Sequence, residues 1–385
     1  MVELYRHQLK AVELYPEKSY LAWEVGTGKT RGALAISEKH GFSRLLVVAP
    51  RSAHQIWDEE SKNFNGFNVL RVITYEFFRD KLREEELRGY DLVIFDEAHR
   101  LSYIRTKWTR KAIKARRFIK NILMLSGTPA DKLHKLYSQL LILTNWKDEM
   151  FKRFPTYTAF IHHYFFVDNY NKPQKVKHSR YKRELQEWFQ KYAYIVRKED
   201  VIELPDLILR EVKLKPVELK VESIQNVLGQ FMTEYRLSSC LEDKIEWVID
   251  LLEQEENVVV FSLFKDFVKE IGKRLGNKVY AFTSETPKQT VEKAIQLQDK
   301  PIITTYMLSE GANLQKNYDT IVFASQPLSY IQYEQAVGRV YRSGQKNKVR
   351  IFKLLQNKID YWVNWIINQK QDVLEYLKQG GKLWM

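Results

Sequence analysis

A glycine-rich turn near the start of the chain carries residue types that bind phosphate. Residues 24–30 read EVGTGKT and lie between a short apolar run and a stretch of helical composition. Glycines let the backbone curl so that several N–H groups point at one anion, and the start of a helix adds a favourable dipole. Lys29 could reach the β- and γ-phosphates of a nucleotide, and the Thr30 hydroxyl could bind Mg²⁺. Trp23 stands where the strict phosphate-loop pattern has glycine, so a glycine turn before a structural helix is the alternative interpretation.

Two adjacent carboxylates, Asp96 and Glu97, follow the apolar run of residues 91–95. Carboxylates at the end of a buried strand lie at the sheet edge where open α/β sheets bind ligands. We expect Asp96 to hold Mg²⁺ through water and Glu97 to orient and deprotonate an attacking water. A helix start is the alternative for an acidic pair, but the phosphate-binding turn earlier in the chain favours a nucleotide site.

Two arginines far along the chain could complete such a site. Residues 335–345 read QAVGRVYRSGQ and predict a helix on which Arg339 and Arg342 share one face. A guanidinium beside the γ-phosphoryl group stabilises the charge of the transition state and accelerates the transfer by about 10³–10⁵-fold. A solvated basic face is the alternative interpretation.

The elements that must position these residues follow from hydrophobic patterning. Short runs rich in Val and Ile alternate with amphipathic helical stretches, which indicates parallel sheets covered by helices on both faces. The pattern occurs twice, so we predict an α/β fold with two tandem lobes and a small helical insertion between them. The predicted boundaries are 1–145 for the N-terminal lobe, 146–220 for the insertion and linker, 221–356 for the C-terminal lobe and 357–385 for a C-terminal amphipathic helix.

Composition limits the class of protein. The 385 residues are 44% hydrophobic and 29% charged, with no run of ~18 apolar residues and no signal-peptide core at the start, so we expect a cytoplasmic protein without a membrane partner. The single cysteine, Cys240, excludes an internal disulfide and argues against a zinc finger. The net charge of +14 favours a polyanionic partner such as nucleic acid, although a merely basic surface is the alternative.

Residues 151–200 differ from both lobes. They hold thirteen aromatic residues, and eleven Lys and Arg against five Asp and Glu. This segment could stack on bases or grip a groove, or it could be a helical subdomain whose aromatic side chains form a core. We favour the core, with the basic side chains facing nucleic acid.

These motifs, in this order, resemble those of the superfamily 2 helicases, and within them the Snf2-like DNA translocases. The resemblance covers roughly residues 4–355 and departs from the usual pattern at Trp23, Thr27 and the pair 309–310. The matching segments are residues 5–8, 24–30, 47–50 with Trp57 and Glu60, 74–76, 96–100, 125–129, 197–201 with 204–205, 259–262, 309–315 and 335–345.

The resemblance implies two RecA-like lobes that close on ATP and Mg²⁺ while nucleic acid lies across both. We expect backbone contacts, which are independent of sequence and suit a motor that must step over any sequence. The expected ATP contacts are Arg6, Gln8, Gly26, Thr27, Gly28, Lys29, Thr30 and Gly311. The expected metal-binding residues are Thr30 and Asp96, and the expected catalytic residues are Lys29, Glu97, Arg339 and Arg342. The expected nucleic-acid contacts are Arg51, Thr74, Thr128 and Thr305, and the residues expected to couple the two sites are His99, Ser126 and Gln335.

The expected function is ATP-driven translocation on double-stranded DNA. A strand-separating or branch-remodelling DNA helicase, an RNA helicase, a motor subunit that feeds a nuclease partner and a non-enzymatic scaffold with a decayed motor are the alternatives. The segment 130–200 is far shorter than the insertions of chromatin remodellers. We therefore expect a minimal motor core of bacterial or phage type that needs no oligomer, and the sequence identifies no protein partner.

Overall fold

The computed structural model describes residues 3–219, 227–309 and 313–378. Contacts divide the chain into two units: unit 1 comprises Met1–Val201 and Gln371–Met385, and unit 2 comprises Ile202–Lys370. None of the described helices is both long enough and apolar enough to span a membrane.

Unit 1 is built on a sheet of six parallel strands. Its helices are α1 (Arg6–Leu14), α2 (Lys29–Lys39), α3 (His54–Ser61), α4 (Tyr75–Asp80), α5 (Lys107–Ala115), α6 (Leu136–Thr144), α7 (Glu149–Arg153), α8 (Tyr157–Tyr164) and α9 (Ser179–Tyr192). Its strands are β1 (Tyr20–Trp23), β2 (Arg44–Val48), β3 (Val69–Ile73), β4 (Leu92–Asp96), β5 (Asn121–Leu125), β6 (Phe165–Val167), β7 (Pro173–Val176) and β8 (Ala193–Val196).

The four central strands of this sheet are buried on both faces, whereas the edge strands β3 and β8 are partly exposed. The sheet order is β3-β2-β4-β5-β1-β8, and alternate residues enter two different hydrophobic clusters. In β1, for example, Tyr20 and Ala22 belong to one cluster, whereas Leu21 and Trp23 belong to the other. This alternation explains why the strands read as continuous apolar runs in the sequence. The carboxyl ends of the neighbouring strands β4, β5 and β1 meet at one edge.

Unit 2 has a second six-stranded parallel sheet in the order β11-β12-β10-β13-β14-β9. The predicted α/β fold with two tandem RecA-like lobes is confirmed. The strands are β9 (Leu207–Lys213), β10 (Val258–Ser262), β11 (Tyr280–Phe282), β12 (Ile302–Thr305), β13 (Thr320–Phe323) and β14 (Val349–Leu355). The helices are α10 (Val227–Ser239), α11 (Glu242–Gln254), α12 (Lys265–Leu275), α13 (Lys288–Leu297), α14 (Tyr330–Val340) and α15 (Lys358–Lys378), the last of which belongs to unit 2 up to Lys370.

The predicted helical insertion and linker, residues 146–220, also contains strands. β6 and β7 form an antiparallel hairpin, β8 extends the sheet of unit 1 beside β1, and β9 pairs with β14 in unit 2. The sequence pattern missed β8 and β9 because their partners lie more than a hundred residues away. The aromatic residues of this segment do form a core, but that core is continuous with unit 1: Phe160, Trp188 and Phe189 join the same cluster as Tyr20.

Candidate functional site

The loop between β1 and α2 has the backbone of an anion-binding turn. Gly28 precedes α2 with φ 80° and ψ 39°, and Gly26 has φ 90°, both in the left-handed region that glycine adopts without strain. Thr27 closes the turn, because its hydroxyl donates to the Glu24 carbonyl at 2.8 Å. The start of α2 therefore directs main-chain N–H groups and a helix dipole into the loop.

Lys29 and Thr30 occupy the first turn of α2. The Lys29 ammonium donates to the carbonyls of Trp23 at 2.9 Å and Glu24 at 3.2 Å, so it lies across the loop. Thr30 is half-buried. The two residues predicted to bind phosphate and metal therefore lie together at the start of α2, beside the loop.

The N-terminal helix α1 is tied to the same loop. The Gln8 amide donates to the Gly28 carbonyl at 3.1 Å and accepts from the Tyr5 N–H at 2.9 Å. An imidazole nitrogen of His7 lies 2.8 Å from the Thr27 carbonyl. A Cβ on Gly28 would lie 2.5 Å from the Gln8 amide nitrogen and would displace the end of that side chain, whereas the φ of 80° is what favours glycine at this position. Arg6, on the same turn as Gln8, is exposed.

Trp23 replaces the first glycine of the phosphate-loop pattern, and its environment shows how the chain accommodates it. The indole is fully buried and contacts His7 edge-on at 4.8 Å and Tyr194 at 5.9 Å between ring centroids. On its other side is Gly32 of α2, where a Cβ would lie 2.6 Å from the indole. The next residue, Glu24, accepts a hydrogen bond of 3.1 Å from the Lys198 N–H just beyond β8.

Asp96 ends β4 and is only 7% exposed. Its Oδ2 accepts from the Trp57 indole N–H and its Oδ1 from the Glu97 N–H, both at 2.9 Å. The Tyr75 hydroxyl donates to its carbonyl at 2.8 Å. Burial, and then the charge of Glu97, raise the pKa of Asp96 to about 6, against the opposing effects of Trp57 and Lys29. A buried carboxylate with this pKa favours a nearby cation.

Glu97 links the acidic pair to the loop after β5. It has φ 52° and ψ 50°, and its carboxylate lies 3.1 Å from Nδ1 of His99. The same His99 nitrogen is 3.2 Å from the hydroxyl of Ser126, which accepts from the Thr128 N–H at 3.2 Å. A continuous polar chain therefore joins Glu97, His99, Ser126 and Thr128.

The donor set fits Mg²⁺ better than a metal held entirely by protein. Among residues 3–219, 227–309 and 313–378, no group of three or more His, Cys, Asp or Glu is arranged to hold a metal ion. Asp96 and the Thr30 hydroxyl offer two hard oxygen donors. Mg²⁺ prefers oxygen and commonly takes one or two protein ligands while keeping waters and substrate phosphates.

The structure corrects the predicted helix over 335–345. Helix α14 ends at Val340, and Arg342 lies beyond it, so Arg339 and Arg342 do not share a helix face. The chain turns at Gly344, which has φ 91°, and the Gln345 amide holds that turn by donating to the Tyr318 carbonyl at 2.8 Å.

Arg342 is nevertheless held in place. Its Nη1 donates to the Asn313 side chain, and its Nε is buried without a hydrogen-bond partner among the described residues. Burial lowers the pKa of its guanidinium. A desolvated guanidinium of this kind suits an anionic ligand.

The remaining predicted residues occupy different environments. Arg51 is exposed in a short turn of helix before α3, whereas Thr128 is 3% exposed and leaves little side chain for a phosphate. The Thr74 hydroxyl accepts from the Phe77 N–H at the start of α4, and Thr305 ends β12. Gln335 is buried in α14. Gly311 lies outside the described residues.

Three residues at this site were not predicted to act there. Trp57 donates to the carboxylate of Asp96, and Tyr75 donates to its main-chain carbonyl. The main-chain N–H of Lys198 donates to the carboxylate of Glu24. In the sequence, Trp57 stood out only as part of a family pattern. Its contact with Asp96 could not be predicted, because the two residues lie on different elements, α3 and β4. A main-chain contact such as that of Lys198 has no signal in the side-chain sequence.

Comparisons with known proteins agree with this architecture. The SNF2-related domain model matches residues 41–246, and the helicase conserved C-terminal domain model matches residues 243–344. A SWI/SNF-related matrix-associated actin-dependent regulator of chromatin subfamily A-like protein 1 from Xenopus laevis is 25% identical over 92% of this chain and 42% of its own length. The protein of the same name from Bos taurus is 30% identical over 31% of this chain and 15% of its own length.

A solved structure, the Sulfolobus solfataricus SWI2/SNF2 ATPase core in complex with dsDNA, is similar over 99% of this chain and 94% of that one, with 18% identity and a TM-score of 0.44. The chain spans less than half the length of the Xenopus laevis relative. The SNF2-related match alone covers more than half of the 385 residues. The chain therefore belongs to the SNF2-related family of superfamily 2 helicases.

Proposed function

We propose that this chain is an ATP-driven motor that moves along double-stranded DNA. The observation that carries the proposal is the convergence of three loops at one sheet edge: the turn of residues 24–28, the pair Asp96 and Glu97, and Ser126 with the residues after it. They follow the adjacent strands β1, β4 and β5. In an open parallel sheet, this edge is where ligands bind.

The proposed nucleotide site uses the main-chain N–H groups from Gly26 to Lys29 for the phosphates. The Lys29 ammonium would pair with the β- and γ-phosphates, and the Thr30 hydroxyl and Asp96 would hold Mg²⁺. Bound Mg²⁺ would neutralise negative charge on the phosphates. Arg6 and Gln8 are proposed to contact the base; Gly311 is proposed to contact the nucleotide from unit 2.

Glu97 is proposed to orient the attacking water and take its proton. Its carboxylate lies 3.1 Å from Nδ1 of His99, which orients it at this edge of the sheet. Arg339 and Arg342 would stabilise the charge that develops on the γ-phosphoryl group. The burial of Arg342 supports this role, because a guanidinium with little hydration loses less on binding an anion.

Nucleotide state and DNA grip would be coupled through the polar chain from Glu97 to Thr128. A change at Glu97 on hydrolysis would reach Ser126 through His99, and Ser126 holds the N–H of Thr128. Gln335 is proposed to play the same part in unit 2. The DNA contacts are proposed at Arg51, Thr74, Thr128 and Thr305, although the Thr128 side chain is buried and its N–H already donates to Ser126.

A strand-separating or branch-remodelling helicase is the second candidate. One observation favours it: the hairpin β6–β7 carries two exposed aromatic side chains, which a motor on plain duplex does not need. The predicted cytoplasmic location and bacterial or phage origin stay predictions, and the two sequence relatives described above are from Xenopus laevis and Bos taurus.

ATP hydrolysis measured with different nucleic acids tests the proposal. The rate is determined with Mg²⁺ and, in turn, blunt duplex DNA, single-stranded DNA, forked DNA and RNA of matched length. Strong stimulation by blunt duplex is the expected result. Stimulation by single strands or forks only would favour the second candidate, and stimulation by RNA only would overturn the DNA assignment.

A further inference from the structure

The hairpin β6–β7 presents aromatic side chains on its outer side. Phe165 at its base is 2% exposed and pairs with Val176 across the two strands, so this side faces the core. The next residue, Phe166, points the other way because side chains alternate along a strand, and it is 56% exposed. Tyr170, in the turn between the strands, is 80% exposed.

The turn that carries Tyr170 is ordered by its own hydrogen bonds. The Asp168 carboxylate accepts from the N–H groups of Tyr170 at 2.9 Å and Lys172 at 2.8 Å, and from the Gln174 amide at 3.0 Å. The side chain of Asn171, which has φ 55°, lies 2.9 Å from an imidazole nitrogen of His162 on α8. Tyr170 is therefore held out into solvent on a fixed backbone, which reduces the entropy lost on binding.

The same segment is strongly basic. Residues 169–183 include six Lys and Arg and no Asp or Glu. Lys172, Lys175 and Arg180 are exposed, and none of them forms an ion pair with another described residue. The Lys172 ammonium lies 5.9 Å from the centre of the Tyr170 ring, so a charge for a phosphate and a face for a base are adjacent.

The base of the hairpin contacts the segment that follows Ser126. The Phe165 ring meets the His134 ring edge-on with 5.9 Å between centroids. Nδ1 of His134 is 2.9 Å from the Tyr157 hydroxyl on α8. The hairpin is thus anchored beside the chain that leaves the carboxyl end of β5, the edge proposed for nucleotide and DNA.

A packing role explains Phe165 but not its neighbours. The core holds Phe165, Val176 and the inner face of α9, whereas Phe166 and Tyr170 lie outside it. Exposed aromatic rings interleaved with unpaired cations are the combination that binds unpaired nucleic-acid bases, because the rings stack on bases while the cations pair with phosphates.

The geometry points to a second DNA-binding site on this hairpin, specific for unpaired bases at a junction between single and double strands. Tyr170 and Phe166 stack on the bases, and Lys172, Lys175 and Arg180 bind the flanking phosphates. This inference rests on the proposed motor function and specifies the DNA structure on which the motor acts. The binding site itself can be tested independently of ATP hydrolysis. It predicts that forks or junctions are preferred over blunt duplex.

Binding without ATP tests the site directly. Fluorescence anisotropy is measured with a labelled forked DNA and a blunt duplex for the full chain, the double variant Phe166→Ala/Tyr170→Ala and the single variant Tyr170→Phe. The double variant should bind the fork at least roughly 30-fold more weakly and the blunt duplex with almost unchanged affinity. Tyr170→Phe keeps the ring and should bind as the unchanged protein does. Tyr361→Ala, which removes an exposed tyrosine from α15, is the matched control.

Stacking has a spectroscopic signature that a purely electrostatic contact lacks. A fork with 2-aminopurine as its first unpaired base should lose fluorescence on binding to the unchanged protein and to Tyr170→Phe, but not to Phe166→Ala/Tyr170→Ala. Equal quenching with all three, or equal fork affinity for all three, would overturn the inference.

The phosphate contacts are tested through salt dependence. Replacing Lys172→Gln and Lys175→Gln together should reduce the slope of log affinity against log salt for a single-stranded arm by about 1.4. The control replaces Lys39→Gln, the exposed last residue of α2, and Lys62→Gln, an exposed lysine directly after α3. An unchanged slope in the hairpin pair, or an equal change in the control pair, would contradict the assigned phosphate contacts.

These outcomes separate the two proposals. If blunt duplex stimulates ATP hydrolysis while Phe166→Ala/Tyr170→Ala binds forks normally, the motor proposal is supported and the hairpin site is contradicted. If no DNA stimulates hydrolysis but the hairpin variants lose fork binding, the site stands and the motor proposal falls.

Discussion

The indole N–H of Trp57 donates a hydrogen bond of 2.9 Å to Oδ2 of Asp96, the carboxylate proposed to bind Mg²⁺. Trp57 is fully buried on α3, and Asp96 ends β4, the strand beside β2 that leads into α3. With the Glu97 N–H on the other oxygen, the carboxylate is fixed from both sides. Partners that orient a metal-binding carboxylate commonly contribute 10–100-fold to metal affinity.

We therefore expect Trp57→Phe to weaken Mg²⁺-dependent nucleotide binding about 10-fold, because the ring remains while the donor is lost. Binding of a fluorescent ADP is measured over a series of Mg²⁺ concentrations. Trp188→Phe is the matched control, since Trp188 also donates from a buried indole to a carboxylate, that of Asp148 at 3.0 Å. An unchanged Mg²⁺ requirement for Trp57→Phe, or an equal loss in the control, would argue against the positioning role.

The two central residues of the proposed site should fail in different ways. Lys29→Ala removes a phosphate contact, so both nucleotide affinity and hydrolysis should fall. Glu97→Gln keeps the shape of the side chain but removes the proton acceptor, so nucleotide should still bind while hydrolysis falls by about 10²–10⁴-fold. Steady-state ATP hydrolysis and nucleotide binding are measured for both, with the exposed Glu17→Gln as control. If either variant hydrolysed ATP at the rate of the unchanged protein, the assignment of this site would be wrong.

Local patterns predicted where the residues of the candidate site lie in the fold, because strand, turn and helix signals are short-range. The loop of residues 24–30 and the pair Asp96 and Glu97 do lie at strand ends on one edge. Apolar runs also predicted both sheets, because parallel strands that are buried on both faces appear in the sequence as continuous hydrophobic runs.

What the sequence could not predict depends on long-range pairing. β8 and β9 form strands because they pair with β1 and β14. Nothing in the short run of residues 193–196 identifies β1 as its partner. The end of α14 at Val340 follows from a turn that the Gln345 side chain stabilises through Tyr318. In the sequence, the same residues continue a helical pattern.

Trp23 and Gly32 form a size-matched pair that the strict phosphate-loop pattern does not anticipate. A Cβ on Gly32 would lie 2.6 Å from the buried indole. Gly32→Ala should therefore destabilise unit 1 by about 1–3 kcal/mol, although alanine favours a helix over glycine by about 1 kcal/mol.

The double variant Trp23→Leu/Gly32→Ala should lose less free energy of unfolding than the sum of the two single variants, because the smaller side chain makes room for the new methyl group. Urea unfolding of all four proteins gives this coupling. Additive losses of unfolding free energy, or a Gly32→Ala variant as stable as the unchanged protein, would show that the indole of Trp23 does not restrict the size of residue 32.

His134 should make the stability of unit 1 sensitive to mild acid. Burial, together with the neighbouring charges of Lys135 and Lys132 and against that of Asp131, lowers the pKa of His134 to about 3. An unfolded histidine titrates near 6.5, so between these values the unfolded state binds the extra proton. The stabilising contribution of the neutral ring is complete above about pH 6.5 and is lost as the pH falls towards about 3.

His134→Gln can still hydrogen-bond to Tyr157 but cannot take up a proton in this range. The unchanged protein should lose roughly 1 kcal/mol of unfolding free energy per pH unit below pH 6.5 through this residue, and the variant should show a correspondingly smaller slope. Urea unfolding between pH 5 and pH 7.5 measures both. His162→Gln is a matched control, because His162 is exposed on α8 and lies outside the core. Parallel stability curves for the unchanged protein and His134→Gln would mean that folding does not lower the pKa of His134, which would contradict this prediction.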